Sequence, residues 1–169
     1  MMRTNSFPQK GDGVVVTGAA RGIGAATVKT LVEQGIFVIA ADANGAMLSE
    51  MLKAIDPAGK LTHGLTADVT KEEECQKVAK AAQEQGIRIK GLVNNAAVGA
   101  FNMSVENTSF DEWQRIISIN LTSIYLVSKY VLPLMRHSAA LDPFRRNANI
   151  FLPDLRGFII IVIDRDPKF

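Results

Sequence analysis

Gly18, Gly22 and Gly24 stand four and two residues apart at the end of the run Val14-Val15-Val16-Thr17-Gly18-Ala19-Ala20-Arg21-Gly22-Ile23-Gly24. Without a Cβ, glycine lets the backbone approach a polyanion closely, and a helix starting there offers the unpaired N–H groups of its first turn. The setting makes the triplet informative. A β-branched run precedes it, and an amphipathic pattern follows with Ile23, Val28, Leu31 and Val32 on one face and Gly35 as its stop. Strand, turn and helix N-terminus in that order suit the pyrophosphate of a dinucleotide. The plainer alternative is a tight turn that serves only helix–strand packing. Arg21 is either a phosphate partner or a solvated loop charge.

Other polar residues fall at the ends of apolar runs. Asp42 closes Ile36–Ala41, eighteen residues beyond Gly24, where a helix-capping acid is the bland reading. Asp68-Val69 follows Leu61–Thr66, and Asp68 could simply begin a turn ahead of Thr70. Asn94-Asn95-Ala96-Ala97 ends Gly91–Asn94, and Asn120 interrupts an apolar helical pattern between Ile119 and Leu121. A buried amide must find partners, so Asn120 also reads as a kink residue. His63 and His137 lack neighbours at ligand spacing and read as structural or solvated. Glu72, Glu73, Glu74, Asp111 and Glu112 gather at helix starts, where the dipole favours acids, and no metal site is expected.

The elements that must hold these residues alternate along the chain. Strands are expected at 13–17, 36–41, 61–66 and 91–94, with helices over 22–34, through Met47, Leu48, Met51, Leu52 and Ile55, and over 70–85. Thr70 with Glu73 reads as a capping box, as does Ser109 with Glu112. The second opens a long helix from about Phe110 to Arg136, with Pro133 as a bend or stop. Residues 138–156 read as loop, and Gly157–Ile163 as a fifth strand. This alternation predicts an α/β fold, a doubly wound parallel sheet in the order 3-2-1-4-5 with helices on both faces.

Taken together, Thr17-Gly18-x-x-x-Gly22-x-Gly24, Asp42, Asp68-Val69, Asn94-Asn95-Ala96 and Asn120 resemble, in their order, the short-chain dehydrogenase/reductase family over about residues 10–136. The resemblance implies a single Rossmann-type domain over 1–169, divergent across 137–169, and an oxidoreductase moving hydride between an alcohol and a ketone. It places Gly18, Arg21, Gly22, Ile23 and Gly24 around the cofactor pyrophosphate and Asp68 and Val69 at the adenine. Asn95 and Ala96 would line the cofactor, while Asn120 would hold a water in the proton relay. Asp42 would accept both adenosine ribose hydroxyls and repel a 2′-phosphate, so NAD is expected over NADP. Ala97 stands where the family carries glycine.

The same resemblance implies a catalytic tyrosine, a lysine four residues on and a serine ending the fifth strand. The lysine would lower a phenol pKa that is ordinarily about 10. Tyr125 and Lys129 have that spacing, but they follow Asn120 on the same helix, one helix too early. After Gly157–Ile163 come Asp164, Arg165, Asp166, Pro167, Lys168 and Phe169, and the nearby Ser138 precedes the strand. A truncated or divergent member with cofactor residues but without competent catalysis is therefore expected. The alternatives are a non-catalytic dinucleotide-binding or subunit-pairing protein, or an inactive fragment. Oligomers would form through the Phe110–Arg136 helix, with Ile124 and Val131 exposed for lack of a neighbour.

Composition narrows the partners. A 169-residue chain, 47% hydrophobic and of formal charge +2, gives no electrostatic case for nucleic acid or an anionic membrane. One cysteine, Cys75, fits a reducing compartment. The longest uninterrupted apolar run, Phe158–Ile163, is too short to span a bilayer, and residues 1–10 hold no signal core. A cytoplasmic protein acting on a small-molecule alcohol or ketone is expected.

Overall fold

A computed structural model describes residues 8–99, 104–137, 148–151 and 160–164, with backbone alone from residue 136 onward. Four parallel strands form the centre: β1 (Gly13–Thr17), β2 (Phe37–Asp42), β3 (Thr62–Thr66) and β4 (Ile89–Asn94), lying in the order β3-β2-β1-β4. The expected strands begin or end within two residues of these. Strands buried on both faces read as continuous apolar runs, which is why β1 and β2 were legible.

Side chains alternate across the sheet and divide the core in two. Val15, Ile39, Ala41 and Leu92 face α3 (Glu72–Glu84) and α5 (Ser123–His137), packing with Cys75, Val78, Ala82, Val127 and Val131. Val14, Val16, Val38 and Ala40 face the other way with Val28 of α1 (Gly22–Glu33) and Leu48 and Leu52 of α2 (Gly45–Ile55). The strands therefore converge at one edge, where β1 opens into the glycine turn.

The long helix is present but not uniform. α4 (Phe110–Ile117) passes through a π-helical turn at Ser118–Thr122 into α5, which runs beyond Pro133 rather than stopping there. Ser109 Oγ accepts the Glu112 N–H at 3.2 Å, as the capping box requires. Thr70 does not cap α3. Its hydroxyl donates to Asp68 Oδ1 at 2.7 Å, and the helix starts two residues later behind Lys71, which makes no side-chain cap. The nearer carboxylate took the hydroxyl that the capping box needed.

Val131 is fully buried at 0% exposure and Ile124 is half-buried, so the expected exposure of Val131 is corrected: α3 and β4 cover that face of α5. The stretch Phe110–Met135 is long and apolar enough, by length and composition, to cross a membrane. Within it Val127, Val131 and Met135 sit in the protein core, while most of the stretch is not buried.

Beyond β4 the sheet departs from the all-parallel expectation. β6 (Ile160–Asp164) lies beside β4 but antiparallel, with Leu92 opposite Val162. β5 (Ala148–Phe151), in a stretch expected to be loop, forms the outer strand against β6. Eight residues separate β5 from β6, fewer than the dozen or more that a parallel return needs. The crossover through α5 is long enough to bring β5 back in the direction of β4. β6 then turns back between them. Ser138, residues 157–159 and the last five residues lie outside the described segments.

Candidate cofactor site

The turn after β1 is built by hydrogen bonds from the end of β4. Thr17, 1% exposed, accepts the N–H groups of Asn95 and Ala96 on its Oγ1, at 3.1 and 3.2 Å. Asn95 returns the contact, its Nδ2 donating to the carbonyls of Thr17 at 3.0 Å and Gly18 at 2.8 Å. These bonds satisfy buried backbone groups that a loop would otherwise leave orphaned. Thr17 opens the glycine motif in the sequence but was assigned no role of its own there. Its signal was a hydroxyl at the last position of an otherwise apolar buried strand.

Glycine is required at Gly18, where φ is +61° and a Cβ would lie 2.7 Å from Ala96 Cα, and at Gly24 and Gly22 for different reasons. A Cβ on Gly24 would sit 2.1 Å from the Gly18 carbonyl oxygen and 2.7 Å from Asn95 Nδ2, so α1 can meet the turn only without one. Gly22 has φ +56° and open space where a Cβ would project, which leaves room in front of α1 for a ligand. The N-terminus of α1 has Arg21 at its cap position, no side-chain cap bond and no acid in its first turn. By contrast, α2 is capped by Asn44, α4 by Ser109, and α3 carries three glutamates in its first turn. The free donors of α1 and its dipole therefore face an uncontested opening, which fits an anionic group such as a pyrophosphate. Arg21 is exposed beside it. Ile23, expected on the buried face of α1, is 63% exposed and stands at the mouth of the turn. Helical periodicity placed it inward, whereas in the structure the buried residue of that first turn is Gly24.

Asp42 lies next to this opening at the end of β2. Its Oδ2 accepts the Ala20 N–H at 2.9 Å and its Oδ1 accepts the Asn44 N–H at 2.9 Å. Each carboxylate oxygen retains a lone pair for a ligand hydroxyl. Asp68 follows β3 and does make the turn ahead of Thr70, accepting its N–H and hydroxyl, while Lys71 Nζ lies 3.7 Å from Oδ2. The Thr70 hydroxyl bond, then the Thr70 N–H and Lys71, outweigh burial and hold the Asp68 carboxyl below its ordinary value. Val69 is buried beneath it in the core.

Asn120 lies in the π turn and clamps Val98, accepting its N–H at 2.9 Å and donating to its carbonyl at 2.8 Å. The kink and the polar clamp are one feature, tying the helix to the segment that leaves β4. Asn94 is 2% exposed; its Nδ2 donates to Ser128 Oγ at 3.3 Å and its Oδ1 has no partner. Ala96 is half-buried beside the β1 turn, and Ala97 is exposed. Thus Gly18, Gly24, Asn95 and Ala96 pack together where the turn begins, and Asp42 reaches that turn through Ala20.

Tyr125 and Lys129 point elsewhere. Tyr125 is 62% exposed, and Lys129 Nζ donates to Glu72 Oε1 at 2.7 Å on the face where α5 meets α3. The hydrogen bond to Glu72 raises the Lys129 pKa, with Tyr130 adding to it. His63 Nδ1 lies 3.5 Å from Gln85 Nε2, and no metal-ligating cluster occurs among the described residues.

Comparison with known proteins adds an independent line. The family model for short chain dehydrogenases matches residues 12–140. The chain is similar to the 3-oxoacyl-(acyl-carrier-protein) reductase FabG of Vibrio harveyi, 39% identical over 121 residues that cover 70% of this chain and 47% of the relative. Among solved structures it is similar to a short-chain dehydrogenase/reductase from Burkholderia phymatum in complex with NAD, with TM-score 0.73 and 26% identity over 78% of this chain and 47% of that one. A metagenomic short-chain oxidoreductase in complex with NADP gives TM-score 0.71 and 30% identity, over 79% and 60%. The chain spans from about a quarter to just over half the length of such curated relatives.

Proposed function

The chain belongs to the short-chain dehydrogenase/reductase family, and from that premise we propose that residues 12–137 form the nicotinamide-dinucleotide half of an alcohol–ketone oxidoreductase that prefers NAD. The observation that carries the reading is the opening in front of α1. Its helix N-terminus is uncapped, Gly22 leaves its mouth clear, and the Asp42 carboxylate stands at its side. In this reading the first-turn N–H groups of α1, with Arg21, hold the pyrophosphate, and Ile23 lies over it. Asp42 accepts the adenosine ribose hydroxyls, Asp68 and Val69 flank the adenine, and Asn95 and Ala96 back the cofactor. The bound dinucleotide would supply the hydride; the protein supplies donors, shape and charge.

Asp42 discriminates by charge. A carboxylate rewards two hydroxyls and repels a 2′-phosphate, while the neighbouring Ala43 and Asn44 bring no cation. Calorimetry of the whole chain with NAD and NADP tests this directly. NAD is expected to bind at least about tenfold more tightly, and Asp42→Ala to narrow the gap. Equal affinities in the unmutated protein would refute the selector role.

We propose further that Asn120 serves the proton relay and that Tyr125 and Lys129 are not its catalytic pair. Tyr125 and Lys129 support that reading, since one is solvent-facing and the other is committed to Glu72. A purified chain that oxidises alcohols with NAD, and loses that activity in Tyr125→Phe, would reverse it. The apolar stripe of Phe110, Trp113, Leu121 and Tyr125 supports pairing with a second copy or a longer relative through α4 and α5. The single buried Cys75 is in keeping with a cytoplasmic site of action.

A further inference from the structure

The two carboxylate oxygens of Asp42 are both engaged by backbone before any ligand arrives, and one of these bonds spans 22 residues to the glycine turn. Ala20 is 5% exposed, and its neighbour Ala19 is tied to the same strand end by its N–H on the Ala41 carbonyl at 3.2 Å. The segment between Gly18 and Gly22 is therefore fastened on both sides. Asn95 holds the Gly18 carbonyl, and the end of β2 holds the amides of Ala19 and Ala20. Of these fasteners, the Asp42 bond is the one made by a charged side chain that the proposed ligand would also touch.

We propose that Asp42 is a positioning residue for the phosphate turn: by accepting the Ala20 N–H, its carboxylate fixes the turn in the shape a pyrophosphate needs, so selection at the ribose and grip at the pyrophosphate are one coupled property. This inference rests on the dinucleotide reading above and adds that residue 42 governs a part of the ligand it does not touch. A carboxylate used only for its charge would leave the turn indifferent to its removal. The coupling predicts that exchange of Asp42 for a small neutral residue admits a 2′-phosphate yet weakens binding generally. The Ala20 amide loses its acceptor in a nearly buried position.

Asn and Ala substitutions separate the two accounts. A carboxamide has one acceptor oxygen for the two N–H groups, so Asp42→Asn keeps part of the fastening, whereas Asp42→Ala keeps none. Amide hydrogen exchange of the whole ligand-free chain is read at Ala20, with Val38, whose N–H is bonded to the Leu61 carbonyl, as the core reference. The Ala20 amide is expected to exchange about tenfold faster in Asp42→Ala and by an intermediate factor in Asp42→Asn, with Val38 unchanged. Affinity for inorganic pyrophosphate, which has no ribose, is expected to fall in the same order.

Equal behaviour of Asn and Ala, unchanged Ala20 exchange, or equal acceleration at Val38 would each overturn the positioning role while leaving NAD binding by the unmutated chain intact. An unmutated chain that binds neither pyrophosphate nor NAD would overturn this inference together with the functional reading.

Discussion

The turn after β1 and the helix from α4 to α5 have opposite constructions. The turn is closed from within: Thr17, Asn95 and Asp42 each bind backbone from a different strand end, and Gly24 lets α1 touch the Gly18 carbonyl. The helix is anchored along one side, by Val127 and Val131 in the core and by Asn120 on Val98, while Phe110, Trp113, Leu121 and Tyr125 remain exposed. The difference teaches where each region spends its sequence. In the turn almost every residue has a backbone to satisfy, so substitutions there act on shape. On the outer side of the helix, substitutions act on what the surface meets.

The largest expected effect tests the closeness of the turn. Gly24→Ala places a Cβ 2.1 Å from a backbone oxygen, and backbone has little freedom to yield. A loss of about 3 kcal/mol in unfolding free energy is expected, with dinucleotide binding abolished. Gly22→Ala meets no atoms but must hold φ +56°, so it should cost about 1 kcal/mol. Chemical denaturation of both variants checks the ranking, and a Gly22 variant less stable than the Gly24 one would break it.

Asn95 and Asn120 allow a matched comparison between the regions. Each side chain makes two bonds with backbone groups, Asn95 to Thr17 and Gly18, Asn120 to Val98. Replacement by Ala should cost about 1–2 kcal/mol in either case. Only Asn95→Ala should also weaken NAD binding, because only it releases the phosphate turn. Equal loss of affinity in both variants would mean that the helix and the turn respond as one unit.

Much of this arrangement could be read in the sequence, for physical reasons that differ by element. β1 and β2 showed because buried parallel strands need apolar residues on both faces. Gly18, Gly22 and Gly24 showed because a backbone requirement has few side-chain solutions. Asn120 showed because an amide in an apolar helix must bond something, although its partner Val98 could not be named. The failures share a cause in competition. Asp68 won the Thr70 hydroxyl over a capping box, and Ile23 kept the helical period while leaving the core. The sense of β6 was invisible because it depends on the length of the connection from β5, not on the apolar run itself.

Asp68 gives the comparison a pH dependence. Its carboxyl titrates below the ordinary value of 3.8, chiefly through the Thr70 hydroxyl bond. A depressed folded-state pKa contributes stability that is complete above the unfolded value and is lost as pH falls through the folded one. The stability gap between the unmutated chain and Asp68→Asn should therefore be constant above about pH 5 and shrink below about pH 4. Thermal unfolding from pH 6 to pH 2.5 follows it, and a gap that widens on acidification would contradict the assigned role.

On the outer face of α4 and α5, Trp113→Glu and Leu121→Glu should change stability by no more than about 0.5 kcal/mol, since neither side chain is in the core. Their effect belongs in assembly. Sedimentation of the unmutated chain should show self-association that the double variant removes. Identical sedimentation of the two proteins would take this face out of any interface between copies.

The smallest expected effect is the sharpest test of the contrast, because it concerns a residue pair that looks chemical and is not placed to be so. Tyr125 and Lys129 share one turn of α5, but Tyr125 is 62% exposed and the Lys129 ammonium donates to Glu72 while lying 5.1 Å from the centre of the Tyr130 ring. The acidic partner raises the lysine pKa, so Lys129 remains a cation held toward α3, with its field directed at Glu72 and Tyr130. Tyr125→Phe removes a hydroxyl that faces water and should leave both unfolding and NAD binding where they were. Lys129→Met should restore the Glu72 carboxyl toward its ordinary value, since the Lys129 bond is the foremost cause of its lowering. A carboxyl-labelled NMR titration reads that change. If Tyr125→Phe instead weakened NAD binding while Glu72 kept its depressed value in Lys129→Met, the pair would be coupled to the dinucleotide opening rather than to α3, and the division between a closed turn and an outward-facing helix would fail at that point.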